Sequence, residues 1–180
     1  MKAQLTAAAT FAIIVSGCAT GGREETAPAP VGPASAQAEL RDPGGRTLAR
    51  ATATETGDSL RVSIEAAGLA PGIYGAHVHS VGRCDPPAFE SAGPHWNPSS
   101  RQHGRDNPRG QHLGDLPNLL VGTDGRGSFE FTIPGASLHG GGRRAMDADG
   151  AAVVIHARAD DYRSEPSGNS GARIACGVLG

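Results

Sequence analysis

The sequence predicts an all-β domain, an antiparallel sandwich or barrel, on three observations. Hydrophobic residues make up 38% of the 180-residue chain and aromatics only 4%, against 27 glycines and 13 prolines. Such lean, turn-rich material suits short strands better than a helical bundle. Short segments alternate apolar and polar residues with the two-residue period of a half-buried strand. No window sustains the 3.6-residue period of an amphipathic helix for long.

The first element is not part of that domain. "MKAQLTAAATFAIIVSGC" opens with one lysine and runs apolar from Leu5 to Val15. That run is too short for the roughly 20 residues of a spanning helix. A basic start, a short apolar segment and small residues before a cut read as a secretory signal. Val15-Ser16-Gly17-Cys18 resembles the lipobox of bacterial lipoproteins, in which cleavage precedes a cysteine whose thiol carries lipid. The expected organisation is therefore a signal over residues 1–17, then a lipidated Cys18 and flexible tether over 18–35. A folded domain occupies 36–180. The tether, "ATGGREETAPAPVGPAS", holds too few bulky apolar side chains to fold. This organisation places the protein in the cell envelope or periplasm, with a membrane as partner through the anchor at Cys18.

Cysteine number agrees. Three cysteines leave one over after any disulfide, and an odd thiol in an exported protein calls for an explanation. If Cys18 carries lipid, Cys84 and Cys176 remain as a pair, in a compartment where a disulfide persists.

Within the domain, Leu60, Val62 and Ile64 alternate with Ser59, Arg61, Ser63 and Glu65, which predicts a strand. Phe129, Phe131 and Ile133 alternate in the same way with Ser128, Glu130 and Thr132. "DPGGR", "ETGDS", "TDGRG" and "DADG" punctuate the chain as turns. "AAVVIHA" at 151–157 is a continuous apolar run holding one histidine. Residues 83–118 are different: prolines, glycines and polar residues with no alternation. So long a loop inside a compact domain is uncommon and points to function. The formal net charge of -2 and an isoelectric point near 6.4 argue against nucleic acid, which needs clustered basic residues.

The chemistry sits on histidine. In "GAHVHSVGRC", His77 and His79 lie two apart, so on a strand they project from one face. His95, His103 and His112 fall on the long loop, with Asp115 three residues after His112, and His156 lies on the "VVIHA" run. Imidazole suits copper and zinc, and a carboxylate can complete a zinc tetrahedron. A metal is also one way to order an irregular loop.

"GAHVH", "GPHWNP", "RQHG", "HLGDLPN", "VVIHARADD" and "GNSGARIACGV" occur in the order and spacing of copper/zinc superoxide dismutases. The chain resembles that family, in its bacterial form, from about residue 36 to its end. The resemblance implies an eight-stranded Greek-key barrel or sandwich, immunoglobulin-like, with two long functional loops. It implies copper held by His77, His79, His95 and His156, and zinc held by His95, His103, His112 and Asp115, with His95 bridging the two. Asp160 would tie His77 to His103, and Cys84 would pair with Cys176. The catalytic residues would be Arg173, which positions a small anion with an always-charged fork, and His95, which hands a proton to the product. The implied activity is disproportionation of superoxide to oxygen and hydrogen peroxide, protecting the envelope, by a monomer or homodimer. Two other classes compete with the enzyme: a tethered module that buffers or delivers copper or zinc, and a structural envelope lipoprotein. Relatives that lost ligands no longer turn over superoxide, whereas all seven ligand positions are filled here.

Three features depart from the pattern. The loop "DYRSEPSGNSG" after Asp160 has no lysine and few charges, which leaves open how strongly it steers an anion. Trp96 stands where phenylalanine is common and reads as packing. His139 matches no ligand position and reads as a surface or loop residue, and Arg143 and Arg144 read as a solvated turn, with an extra positive feature as the alternative.

Overall fold

The structure, a computed structural model, describes residues 34–180. The leader, Cys18 and all but the last two residues of the tether lie outside the described residues. Among the described residues nine strands follow one another: β1 (Ser35–Arg41), β2 (Thr47–Thr56), β3 (Ser59–Ala67), β4 (Gly72–Tyr74), β5 (Ala76–His79), β6 (Leu119–Val121), β7 (Arg126–Pro134), β8 (Ala152–His156) and β9 (Arg173–Val178). The helical content among the described residues is one 3-10 turn, Glu90–Ala92.

Seven strands form a curled antiparallel sheet in the order β5-β8-β9-β1-β2-β3-β7, and β4 pairs with β6. The chain leaves the β1-β2-β3 meander, crosses to lay β5 at the far edge, and returns with β7 beside β3. This is the expected Greek-key connection. Nine strands stand where eight were expected because one strand is divided at Gly75. Its N–H donates to the Arg158 carbonyl and its own carbonyl accepts the His156 N–H, each at 2.8 Å. The register of β8 on β9 also shifts between Ile155 and His156. Such an irregularity bends a strand and re-aims the next side chain. So β4 departs to pair with β6 while β5 stays on β8. Gly75 has no room for a side chain, since a Cβ there would lie 2.9 Å from that of Ser170 in the loop above.

The core lies inside the curl. On β3, Leu60, Val62 and Ile64 are fully buried, as their alternation predicts. Directly opposite the last two on β2 stand alanines, with Ala53 across from Val62 and Ala51 across from Ile64. Phe131 and Phe129 on β7 face the same two residues from the other side and are only half-buried. Trp96 packs into this core from the first long loop.

β5 and β8 are buried on both faces. Ala76, Val78, Val153 and Ile155 enter the core. The opposite face, carrying His77, His79, Val154 and His156, is roofed by two long loops, residues 80–118 and 157–172. That double burial explains the unbroken apolar run at 151–157. Cys84 and Cys176 form a disulfide with Cα atoms 5.7 Å apart, pinning the first loop to β9.

Candidate metal centre

The roofed face of β5 carries His77 and His79 side by side, and β8 brings His156 beside them. His95 reaches the same point from the first loop, whose backbone pairs with β5: the Trp96 N–H donates to the Val78 carbonyl at 2.8 Å. All four histidines are at most 7% exposed.

One nitrogen of each strand histidine is already committed. His79 Nδ1 donates to the Gly93 carbonyl at 2.8 Å, and His156 Nδ1 donates to the Gly171 carbonyl at 3.0 Å. His77 Nε2 meets the Asp160 carboxylate at 2.9 Å. A carbonyl or a carboxylate only accepts, so the proton sits on those nitrogens and the opposite nitrogen keeps a lone pair. Those opposite nitrogens are His77 Nδ1, His79 Nε2 and His156 Nε2. Together with His95 Nε2 they are buried without any hydrogen-bond partner, and the four histidines can bring ligand atoms within 4.8 Å of one another. Four orphaned lone pairs converging on one point are costly unless a cation fills it. An all-imidazole set suits copper.

Burial disfavours charge on these rings. It holds His77 down to about 3 against the help of Asp160, His156 down to about 4, and His79 well below its ordinary value. The nearby Arg173 charge presses the last two the same way. They therefore present neutral lone pairs at neutral pH.

The other face of His95 builds a second cluster. The Nδ1 atoms of His95, His103 and His112 lie 2.9, 3.0 and 3.1 Å from Asp115 Oδ1, and those of His95 and His112 are 3.3 Å apart. Asp115 Oδ2 is held by the N–H groups of Gly104 and His112 at 2.9 and 3.0 Å. Three imidazoles and one carboxylate around a point are a zinc tetrahedron, whose ligand atoms stand about 3.3 Å apart when each bond is near 2.0–2.1 Å. His77 also lies within reach of this cluster, but its Nε2 is held by Asp160 and its Nδ1 faces the other group. Burial lowers His103, yet hydrogen bonds to Asp115 and Asp160 outweigh it and raise His103 to about 9. A cation entering this cluster displaces a proton. The same contacts, overcoming burial, hold Asp115 and Asp160 well below the usual carboxylate range.

Asp160 stands behind both clusters. Its two oxygens meet His77 Nε2 at 2.9 Å and His103 Nε2 at 3.0 Å. Gly168 makes the arrangement possible: at φ 63° it adopts a conformation that side chains resist, and a Cβ there would collide with the Asp160 carboxylate and the His103 ring.

A cleft of about 1120 Å³ opens on His79, His95 and His156, and Arg173 lines it. Arg173 donates through Nη1 to the Phe89 carbonyl at 2.7 Å and through Nη2 to the Gly93 carbonyl at 2.8 Å. Two of its five N–H groups are thus used for anchoring, and the others remain for an anion. Arg144, exposed, lines the cleft too, which favours the extra positive feature that the sequence offered beside a solvated turn. His139 is exposed and joins neither cluster. Four contributors had no signal in the sequence: the Phe89 and Gly93 carbonyls, the Glu165 carboxylate that accepts the His103 N–H at 2.6 Å, and Tyr162.

A family model described as copper/zinc superoxide dismutase (SODC) matches residues 47–179. The chain is 48% identical over 124 residues to the superoxide dismutase-like protein YojM of Bacillus subtilis (strain 168), a match covering 68% of this chain and 63% of that one. It is 41% identical over 148 residues to the superoxide dismutase (Cu-Zn) of Caulobacter vibrioides, covering 81% and 85%. The crystal structure of a SOD-like protein from Bacillus subtilis superposes with a TM-score of 0.75 at 42% identity, covering 79% of this chain and 97% of that one. The Cu/Zn superoxide dismutase from Brucella abortus gives a TM-score of 0.63 at 26% identity, covering 82% and 100%.

Proposed function

The chain belongs to the copper/zinc superoxide dismutase family, and from that premise we infer that it removes superoxide outside the cytoplasm at the paired site just described. Two superoxide anions and two protons give one oxygen and one hydrogen peroxide. Copper, when bound, supplies the one-electron couple that oxidises the first anion and reduces the second; zinc has no second oxidation state and serves the bridge and the loop.

Each residue then has a role. His77, His79, His95 and His156 would hold copper, and His95, His103, His112 and Asp115 would hold zinc. Arg173 binds the incoming anion with its free N–H groups. His95 would serve both groups and would move a proton at Nε2 to the peroxide product, while its Nδ1 stays on the Asp115 side. Asp160 fixes the rings of His77 and His103, as carboxylates behind metal-bound histidines do. The observation that carries this reading is the set of four partnerless, buried nitrogens backed by the Asp115 cluster.

We propose further that residues 1–17 are a lipoprotein signal, that Cys18 carries lipid, and that the tether holds the enzyme at a membrane of the cell envelope, which it protects. Support comes from the lipobox-like sequence and from the disulfide, which suits an oxidising compartment. Expression with a radiolabelled fatty acid tests the anchor. The wild-type chain incorporates label and sediments with membranes, whereas Cys18→Ser does neither. A Cys18→Ser chain that still carries label would overturn the anchor. For the activity, the purified protein loaded with copper and zinc is compared with His79→Ala. Fast, copper-dependent dismutation abolished by the substitution is expected, and tight metal binding without turnover would move the protein to metal handling.

A further inference from the structure

The two roofing loops meet over the metal centre, and Tyr162 in the second loop joins them through its side chain and its backbone. The phenol oxygen of Tyr162 accepts the N–H of Asn118 at 2.8 Å, and its carbonyl accepts the N–H of Asp106 at 3.1 Å. Its ring lies 3.8 Å from the Arg105 guanidinium. Its own N–H donates to Asp160 Oδ1 at 2.6 Å. Asn118 brackets the backbone of Asp160, donating through Nδ2 to its carbonyl at 2.9 Å and accepting its N–H at 2.8 Å. Tyr162 holds φ at 62°, a left-handed conformation that a bulky residue adopts only when its surroundings impose it.

We propose that Tyr162 is a positioning residue for both metal sites. By fixing Asn118 against Asp160, it sets the one carboxylate that orients His77 and His103. Asp160 cannot slide along its loop while Asn118 grips it from both sides, and Asn118 cannot turn while its N–H is held by the phenol. The proposal rests on the copper and zinc reading of the site.

The test compares the full chain with Tyr162→Phe and Tyr162→Leu, each loaded with copper and zinc. Zinc retention is read by competition with a chromogenic chelator, the His77 environment by the visible absorption and paramagnetic resonance of copper, and stability by the thermal midpoint. Tyr162→Leu is expected to lose zinc affinity by roughly 10–100-fold, the usual effect of disturbing a group behind a metal ligand, with a shifted copper band. Tyr162→Phe keeps the ring under Arg105 but leaves the Asn118 N–H without its acceptor, and it falls between. A purely structural role would lower the thermal midpoint of both variants while leaving zinc competition and the copper band at wild-type values; that result overturns the proposal. A wild-type chain that takes up no copper and zinc pair overturns the reading of the site itself, and the proposal falls with it.

Discussion

Arg173 and His79 donate to the same acceptor, the carbonyl oxygen of Gly93, each at 2.8 Å. One backbone oxygen therefore sets both a ring that faces the metal point and the cation that faces the incoming anion. Gly93 lies just after the Glu90–Ala92 turn, in the loop that the Cys84–Cys176 disulfide ties to β9, the strand that also carries Arg173. Covalent bond, turn and carbonyl form one short circuit around the cleft.

Breaking the disulfide therefore affects the site as well as the stability. In the chain-entropy model a bridge closing a loop of this length is worth about 4–5 kcal/mol. For a domain of this size that corresponds to a fall of roughly 10–15 °C in thermal midpoint. Cys84→Ser with Cys176→Ser is expected to show that fall, and also a lower turnover at temperatures where the variant is still folded. Full turnover in the folded double variant would detach the disulfide from the cleft.

Arg173→Gln removes the cation but leaves β9 and the histidines in place. The expected loss is about tenfold in kcat/KM, the low end of electrostatic steering, a range for which superoxide dismutases are themselves a known example. The dependence on ionic strength flattens with it, while the copper absorption band stays put. Arg173→Lys restores only part, because a point charge cannot keep both carbonyl contacts and face an anion. The measurement is the superoxide decay rate at several salt concentrations.

Gly168→Ala forces a methyl group into the space of the Asp160 carboxylate and the His103 ring, at a φ that alanine resists. Zinc loading is expected to fail before folding does. Chelator competition and circular dichroism on the same sample read the two apart.

The metal-free protein has a pH profile of its own. His77 and His156 titrate near 3 and 4 when folded and near 6.5 when unfolded. Below 6.5 the unfolded chain takes up protons that the folded chain refuses, so their contribution is whole above 6.5 and drains as pH falls through about 4 for His156 and about 3 for His77. His103 runs the other way: raised to about 9, it stabilises below 6.5 and loses that contribution as pH climbs to 9. The thermal midpoint of the metal-free protein should peak between these arms. Loading with copper and zinc should flatten the profile, because bound imidazoles no longer titrate there.

Much of the fold was legible because β3 and β7 carry large apolar residues at a two-residue spacing and β8 an unbroken apolar run. β1 and β2 gave little signal. Their inward positions are mostly alanines, such as Ala36, Ala38, Ala51 and Ala53, and alanine buries little area and prefers helices in isolation. The division at Gly75 depends on bonds to Arg158 and His156, about 80 residues away. The seven residues named as ligands stand in two groups sharing His95, because histidine and aspartate carry their chemistry in the side chain. What holds them was hidden for the opposite reason. Gly93 and Gly171 act through carbonyls that every residue has, and Tyr162 acts on Asn118 across 44 positions of sequence.

Anomalous scattering from crystals of the copper- and zinc-loaded protein, recorded at the two metals' absorption edges, tests the central claim most directly. A copper peak is expected, bounded by His77 Nδ1, His79 Nε2, His95 Nε2 and His156 Nε2. A zinc peak is expected, bounded by the Nδ1 atoms of His95, His103 and His112 and by Asp115, with His95 between the two. A peak outside these groups, or a single ion with His95 turned away from one cluster, would contradict it.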